Sequence, residues 1–154
     1  WTIVTKGRRA NPAPAPNHTA IVDTGASDFY LTPSAPVTNL NPSATAVTVS
    51  DASGKQHCSL AQVEILLNLP DCNAKIMPSF QHNLMGIGNL CDNDCRVVLD
   101  KTAVTVFAND GSTLLQGWRE QQGVKLWQFS LIPNETISPT WAAQAPTALH
   151  DPAL

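Results

Sequence analysis

The stretch that most constrains this chain is an apolar run that breaks into an acidic turn, Ala20-Ile21-Val22-Asp23-Thr24-Gly25-Ala26-Ser27. The apolar residues before Asp23 predict a buried strand that ends at this carboxylate. Thr24 supplies a short hydroxyl, and Gly25 permits backbone conformations or close approaches that other residues do not. The run therefore predicts a carboxylate held at the end of a buried strand, although Asp and Gly are also common in ordinary turns.

Short apolar stretches separated by turn residues follow this run and predict further strands. They are a departing strand at 29–31, a hairpin over 44–61 with its tip at 51–54, a strand buried on both faces at 62–69, and a short strand at 75–77 that Pro78 stops. The next informative stretch is Asn83-Leu84-Met85-Gly86-Ile87-Gly88-Asn89-Leu90, two apolar residues and a glycine before a predicted short helix. Leu84 and Met85 are expected to pack under the Asp23 turn, and Gly86 to permit a close strand crossing.

Four apolar stretches after Cys95 predict a β-meander of three or four strands, at 96–99, 104–107, 114–117 and 125–131. The Asp110-Gly111 step between the second and third is a strong hairpin signal. Together with the preceding strands, the meander predicts an all-β fold with one short helix.

The length of 154 residues predicts one domain with flanking segments, since the 12 prolines cluster near the two ends. We expect a flexible Pro-rich arm over 1–17 and a globular domain over 18–132, with a core at 18–95 and the meander at 96–132. A disordered tail or spacer is expected over 133–154.

The charge balance argues against a general attraction to nucleic acid or membranes, because nine basic and twelve acidic residues leave a net charge of -3. The cluster of Lys6, Arg8 and Arg9 is interpreted as a solvated arm, with contact to RNA or lipid as the alternative. No stretch is long and apolar enough for a membrane span or a signal peptide, so we expect an intracellular protein or an excised part of a longer one.

The four cysteines are Cys58, Cys72, Cys91 and Cys95. Without a secretion signal they are expected to be free thiols, mainly in buried structural positions. Their spacing provides no second pair to complete a zinc site with Cys91 and Cys95.

Asp23-Thr24-Gly25-Ala26 resembles the signature of the aspartic proteases, and its single copy in a short chain resembles their retroviral and retrotransposon branch, the retropepsins. The stretch from Asn83 to Leu90 is similar to the second signature of that family, except that Ile87 stands where an Arg or Asp usually follows the glycine. The segment from Leu90 through the meander looks like the one that follows the protease signature in copia-type retrotransposon polyproteins.

This resemblance implies a closed β-barrel or sandwich in which the 51–54 hairpin is a flap over bound peptide. It implies catalytic roles for Asp23, Thr24 and Gly25, and support of the site by Leu84, Met85 and Gly86. It also implies peptide contacts from the turn and from the hairpin tip, namely Gly25, Ala26, Ser27, Asp28, Asp51, Ala52, Ser53 and Gly54.

One copy of the motif implies two chains, because peptide hydrolysis by carboxyls needs one group to accept a proton while another donates one. The resemblance thus implies a homodimeric aspartic endopeptidase in which paired Asp23 carboxyls activate water, with no metal or cofactor. The expected substrates are sites in its own polyprotein, in the cytoplasm or within a virus-like particle.

Three other classes of protein remain as alternatives. A retropepsin-like domain that binds a peptide or partner without cleaving it is the main one, and a structural capsid-type β domain is another. A serine or cysteine hydrolase is less favoured, because Ser27 lacks the spacing of a nucleophile elbow. Adjacent His57 and Cys58 would also point to opposite faces of a strand.

Overall fold

A computed structural model describes residues 18–133 of the chain, so the arm predicted over 1–17 and, apart from Pro133, the tail predicted over 133–154 lie outside the described residues. The described part is almost entirely β-structure with one short helix, which confirms the predicted all-β fold.

Short β-branched and apolar stretches form the strands, and turn residues separate them. The elements are β1 (Thr19–Asp23), β2 (Phe29–Leu31), β3 (Val37–Asn41), β4 (Thr48–Ser50), β5 (Gln56–Cys58), β6 (Ala61–Ile65), β7 (Asn73–Ile76), β8 (Asn83–Gly86), α1 (Gly88–Asp92), β9 (Arg96–Leu99), β10 (Ala103–Phe107), β11 (Thr113–Arg119) and β12 (Trp127–Ser130).

Ten of these strands belong to one hydrogen-bonded sheet in the order β3-β6-β7-β2-β8-β1-β12-β11-β10-β9. The other two, β4 and β5, form a separate antiparallel hairpin. Closure of the large sheet into a barrel stays a prediction.

The strand that carries Asp23 lies in the middle of the large sheet. β1 runs parallel to β8 on one side and antiparallel to β12 on the other, while β8 also pairs with β2. Apolar side chains of these strands are buried on both faces, with Met85 and Phe129 in the larger core cluster and Ile21 and Leu84 in the smaller one. A central strand held on both sides gives Asp23 a rigid base.

The predicted meander is confirmed as four consecutive antiparallel strands, β9 to β12. The Asp110-Gly111 turn joins β10 to β11, and Gly111 has the positive φ of 90° that such turns require. The last strand places Phe129 opposite Ala20, so the meander directly supports the Asp23 strand.

One strand prediction needs correction, and one strand was not predicted. The strand predicted over 62–69 ends at Ile65, and alternate rather than all residues of β6 are buried, because one face of this strand lies outside the core. Leu66 is 38% exposed, in the loop that follows. The sequence also gave no clear signal for β3, whose residues are mostly exposed.

All four cysteines are free, as predicted, but they are not mainly buried. Cys95 is buried and Cys72 is half-buried, whereas Cys58 and Cys91 are exposed. Burial raises the pKa of the Cys95 thiol, which favours its neutral form.

Within residues 18–133 the helical structure is too short to cross a bilayer.

Candidate functional site

Asp23 is the last residue of β1, and its carboxylate is partly exposed at the start of the turn. Its Oδ1 accepts a hydrogen bond from the backbone N–H of Gly25 at 2.9 Å, and its backbone carbonyl accepts one from Ala26 at 3.2 Å. Among the described residues, Oδ2 makes no hydrogen bond. The turn therefore orients the carboxylate through one oxygen and leaves the other available.

Gly86 lies directly beneath this turn. A Cβ at Gly86 would lie 2.4 Å from the carbonyl oxygen of Ala26 and 2.6 Å from that of Asp28. The Gly86 N–H donates to the same Asp28 carbonyl at 3.0 Å. The close crossing expected from the sequence is thus present, and only glycine permits it.

Leu84 and Met85 lie on opposite faces of β8, and only Leu84 faces the cleft. Leu84 is buried in the cluster with Ile21 and Tyr30, whereas Met85 lies in the larger core. Leu84 also lines the cleft in front of Asp23.

Gly25 does not have the positive φ that would require glycine there. A Cβ at this position would meet only the Asp23 Oδ1, at an ordinary contact distance of 3.4 Å. Within this chain the position therefore has room for a side chain.

A cleft of about 480 Å³ lies between the Asp23 turn and the β4–β5 hairpin. Of the residues that the sequence predicted to contact peptide, it brings together Gly25, Ala26, Ser27, Asp51 and Ala52. Its wall also contains residues that sequence reasoning missed, Tyr30, Val47, Thr48, Val49, Ser50 and Phe80. Its size and its mixed lining suit a segment of peptide.

Some predicted site residues lie outside the lining of this cleft. Ser53 and Gly54 are exposed at the far end of the hairpin tip, and Thr24 is exposed on the turn. Asp28 forms an ion pair with Lys75, and its Oδ1 accepts a hydrogen bond from the Phe29 N–H at 2.8 Å. The Asp28 side chain therefore braces the turn against β7.

The aromatic side of the cleft is built from two contacts. The hydroxyls of Ser27 and Tyr30 are 2.7 Å apart and share a hydrogen bond. The rings of Tyr30 and Phe80 meet edge to face, with centroids 5.9 Å apart. These contacts hold Ser27 in place at the side of the Asp23 turn.

Asp51 occupies the hairpin tip, and its side chain is only 6% exposed. Its Oδ2 is 2.9 Å from His57 Nε2, while its Oδ1 accepts hydrogen bonds from the Ser53 hydroxyl, the Ser53 N–H and the Lys55 N–H. Hydrogen bonds from His57 and Ser53 hold the pKa of the Asp51 carboxyl well below its usual range. Asp51 is therefore an ionised carboxylate with both oxygens engaged.

His57 was missed as a site residue because two of its partners, Ser79 and Phe80, are remote in sequence. Its Nδ1 is 2.5 Å from the Ser79 hydroxyl, 22 residues away, and its ring packs edge to face on Phe80 with centroids 4.9 Å apart. A smaller cavity of about 130 Å³ adjoins these groups and is also lined by His82, whose pKa is lowered by burial.

In the part of the chain from 18 to 133, no cluster of three or more His, Cys, Asp or Glu side chains is arranged to hold a metal ion.

No protein-family model matches this chain, and no curated protein matches it with significance.

Proposed function

We propose that this chain is a retropepsin-like aspartic endopeptidase that acts as a homodimer through paired Asp23 carboxyls. The observation that carries this proposal is the Asp23 carboxylate itself, fixed by the Gly25 N–H at the end of a central strand and facing a cleft beneath a hairpin. Rigid support of a partly exposed carboxylate in a cleft is the arrangement that acid–base chemistry on a bound peptide requires.

The second carboxyl must come from another copy of the chain. The two other Asp residues near the turn and the cleft are already engaged, Asp28 by Lys75 and Asp51 by His57, Ser53 and Lys55. The Oδ2 of Asp23 has no hydrogen-bond partner within residues 18–133. A two-fold axis beside the turn would bring two such carboxyls together.

Two adjacent carboxyls share one proton, because ionising both would place like charges side by side. This shared proton is the known property of aspartic protease pairs, and it supplies both chemical roles. The ionised Asp23 takes a proton from a water molecule as the water attacks the scissile carbonyl carbon. The protonated Asp23 of the other copy donates its proton to the carbonyl oxygen, which gives a tetrahedral diol. The first Asp23 then gives the proton it took to the leaving nitrogen as the C–N bond breaks, while the other Asp23 takes back a proton from a diol hydroxyl.

The cleft suggests how substrate is held. An extended peptide would lie between the Asp23 turn and the β4–β5 hairpin, with apolar contacts from Val49, Phe80 and Leu84. The proposed substrates are sites within a retroelement polyprotein that contains this domain, cleaved in the cytoplasm or within a virus-like particle.

The test is cleavage of a peptide library, read by mass spectrometry, by the wild-type chain and by Asp23→Asn. Asn keeps an Oδ1 acceptor for the Gly25 N–H, so we expect the free energy of unfolding to change by less than about 0.5 kcal/mol. Cleavage should fall by at least about a hundredfold, because the proton acceptor is lost.

Asp110→Asn is the matched control, because Asp110 is an exposed carboxylate in the remote β10–β11 turn. It should cleave the library like the wild type. Equal cleavage by Asp23→Asn and the wild type would refute the proposal. Binding of library peptides by both proteins without cleavage by either would instead identify a peptide-binding domain.

A further inference from the structure

We propose that His57 is a positioning residue that holds the hairpin of residues 47–59, the flap hairpin, over Asp23 by bridging Asp51 to Ser79. The effect of His57 on peptide cleavage rests on the proposed function. Its effect on the position of the hairpin can be tested in a protein that has no activity.

The flap hairpin has few other attachments to the protein. β4 and β5 hydrogen-bond only to each other, as a sheet of their own. Among residues 18–133, the hydrogen bond between His57 and Ser79 is the only one that joins this hairpin to the rest of the chain. Its location therefore depends on that bond and on the packing of a few side chains, chiefly Val49 and the His57 ring.

Ser79 is itself exposed, but the residues on either side of it fix its loop to the core. Met77, two residues earlier, is completely buried against Ile21 of the Asp23 strand, and its N–H donates to the Leu31 carbonyl at 2.7 Å. Phe80, the residue directly after Ser79, packs against both Tyr30 and His57. The bridge thus connects the flap hairpin to the same core that holds Asp23.

Asp51 sets the orientation of the imidazole. An ionised carboxylate only accepts hydrogen bonds, so Nε2 carries a proton and donates to Asp51 Oδ2 at 2.9 Å. The Ser79 hydroxyl then donates to Nδ1 when the ring is neutral, and accepts from it when the ring is protonated. Because a hydroxyl does either, the bridge persists in both charge states of His57.

The three side chains also have the composition of a serine hydrolase triad, but their geometry favours positioning. In such triads the carboxylate contacts Nδ1 and the serine contacts Nε2, whereas here the two nitrogens are exchanged. The N–H of Phe80, which follows the serine and would be a natural oxyanion donor, already donates to the Met77 carbonyl at 3.1 Å.

The first experiment measures backbone order in the flap hairpin by ¹⁵N relaxation, in the Asp23→Asn background so that no self-cleavage occurs. Adding Ser79→Ala cuts the bridge but leaves the Asp51–His57 pair intact, and the hairpin amides should become more mobile. Ser79→Thr should restore their order. Ser112→Ala is the control, because it removes a serine hydroxyl from the remote β10–β11 turn, where Ser112 bonds to Asp110 and not to the hairpin.

The second experiment measures peptide cleavage with Asp23 present. Losing one hydrogen bond that favours the ordered hairpin should lower kcat/KM of Ser79→Ala by about fivefold, mainly through KM, with recovery in Ser79→Thr. Unchanged hairpin order in Ser79→Ala would overturn the proposal, whatever the activity. Hydrolysis that survives Asp23→Asn but disappears in Ser79→Ala would overturn it as well, because Ser79 would then be a nucleophile.

If the wild type cleaves nothing, the proposed function fails, while the relaxation data still decide the role of His57.

Discussion

Asp23 and Gly86 are partners in the parallel register between β1 and β8, and the backbone of Gly86 lies against the turn that follows Asp23. This contact explains how a short turn keeps a carboxylate in a fixed orientation. The carbonyl groups of Ala26 and Asp28 rest on a position that has no side chain, so the turn cannot move toward β8.

Gly86→Ala should therefore destabilise the protein more than any exposed glycine substitution. The new Cβ would lie within 2.6 Å of two carbonyl oxygens, which are backbone atoms that cannot rotate away. We expect a loss of about 1–3 kcal/mol in the free energy of unfolding, measured by urea denaturation. Gly88→Ala is the control, because its Cβ would meet nothing within 4 Å and alanine favours the helix that begins there. Equal effects of the two changes would contradict this account of the turn.

Activity should depend on pairing of two chains. Specific activity is expected to fall on dilution as dimers dissociate. In an equimolar mixture with Asp23→Asn, random pairing would leave about half of the wild-type subunits with an active partner. The measurement is the initial rate of peptide cleavage at a constant amount of wild-type chain. A rate of cleavage that changes neither on dilution nor on addition of the variant would show that a single chain is sufficient for catalysis.

The Phe129 side chain should make the packing of the meander important for the stability of the strand that carries Asp23. Its side chain is fully buried, and it pairs across from Ala20 on β1. Phe129→Ala should cost about 3–5 kcal/mol in thermal or urea unfolding, because a large buried ring leaves a cavity. Phe107→Ala is the matched comparison, since Phe107 is half-buried and lies under the Arg96 guanidinium at 4.7 Å from the ring centroid. Phe107→Ala should lower the free energy of unfolding by less than half as much as Phe129→Ala. A larger loss for Phe107→Ala than for Phe129→Ala would place the meander outside the core.

The flap hairpin should lose stability in acid through Asp51. Because its pKa in the folded protein is lowered, its contribution is present above the ordinary Asp value of about 3.9 and is lost as the pH falls below that value. Asp110 also has a lowered pKa from contacts with Ser112, but it has no histidine partner. In a ¹³C titration of the carboxyl groups, Asp51 should therefore protonate at a lower pH than Asp110. Protonation of both at the ordinary value would contradict the hydrogen-bonding assigned to them.

Several elements followed from local sequence alone. The strand that ends at Asp23, the tip of the flap hairpin, the Asp110-Gly111 turn and the helix after Gly86 depend on residues only a few positions apart. Apolar periodicity and turn chemistry act over that range, so these elements were predictable. The single copy of Asp-Thr-Gly was equally readable, and it leads directly to the proposal of a dimer.

The contacts that build the site were decided by the tertiary structure. Local patterns do not specify that β12 pairs with β1, that Ser79 meets His57 from 22 residues away, or that Phe80 and Tyr30 line the cleft. Such contacts depend on which distant segments bury their apolar faces together, and one strand pattern is compatible with many partners. The sequence by itself thus determined where the Asp23 carboxylate stands at the end of a strand. The tertiary structure decided what holds that carboxylate, what faces it across the cleft and which neighbouring carboxyls are already engaged.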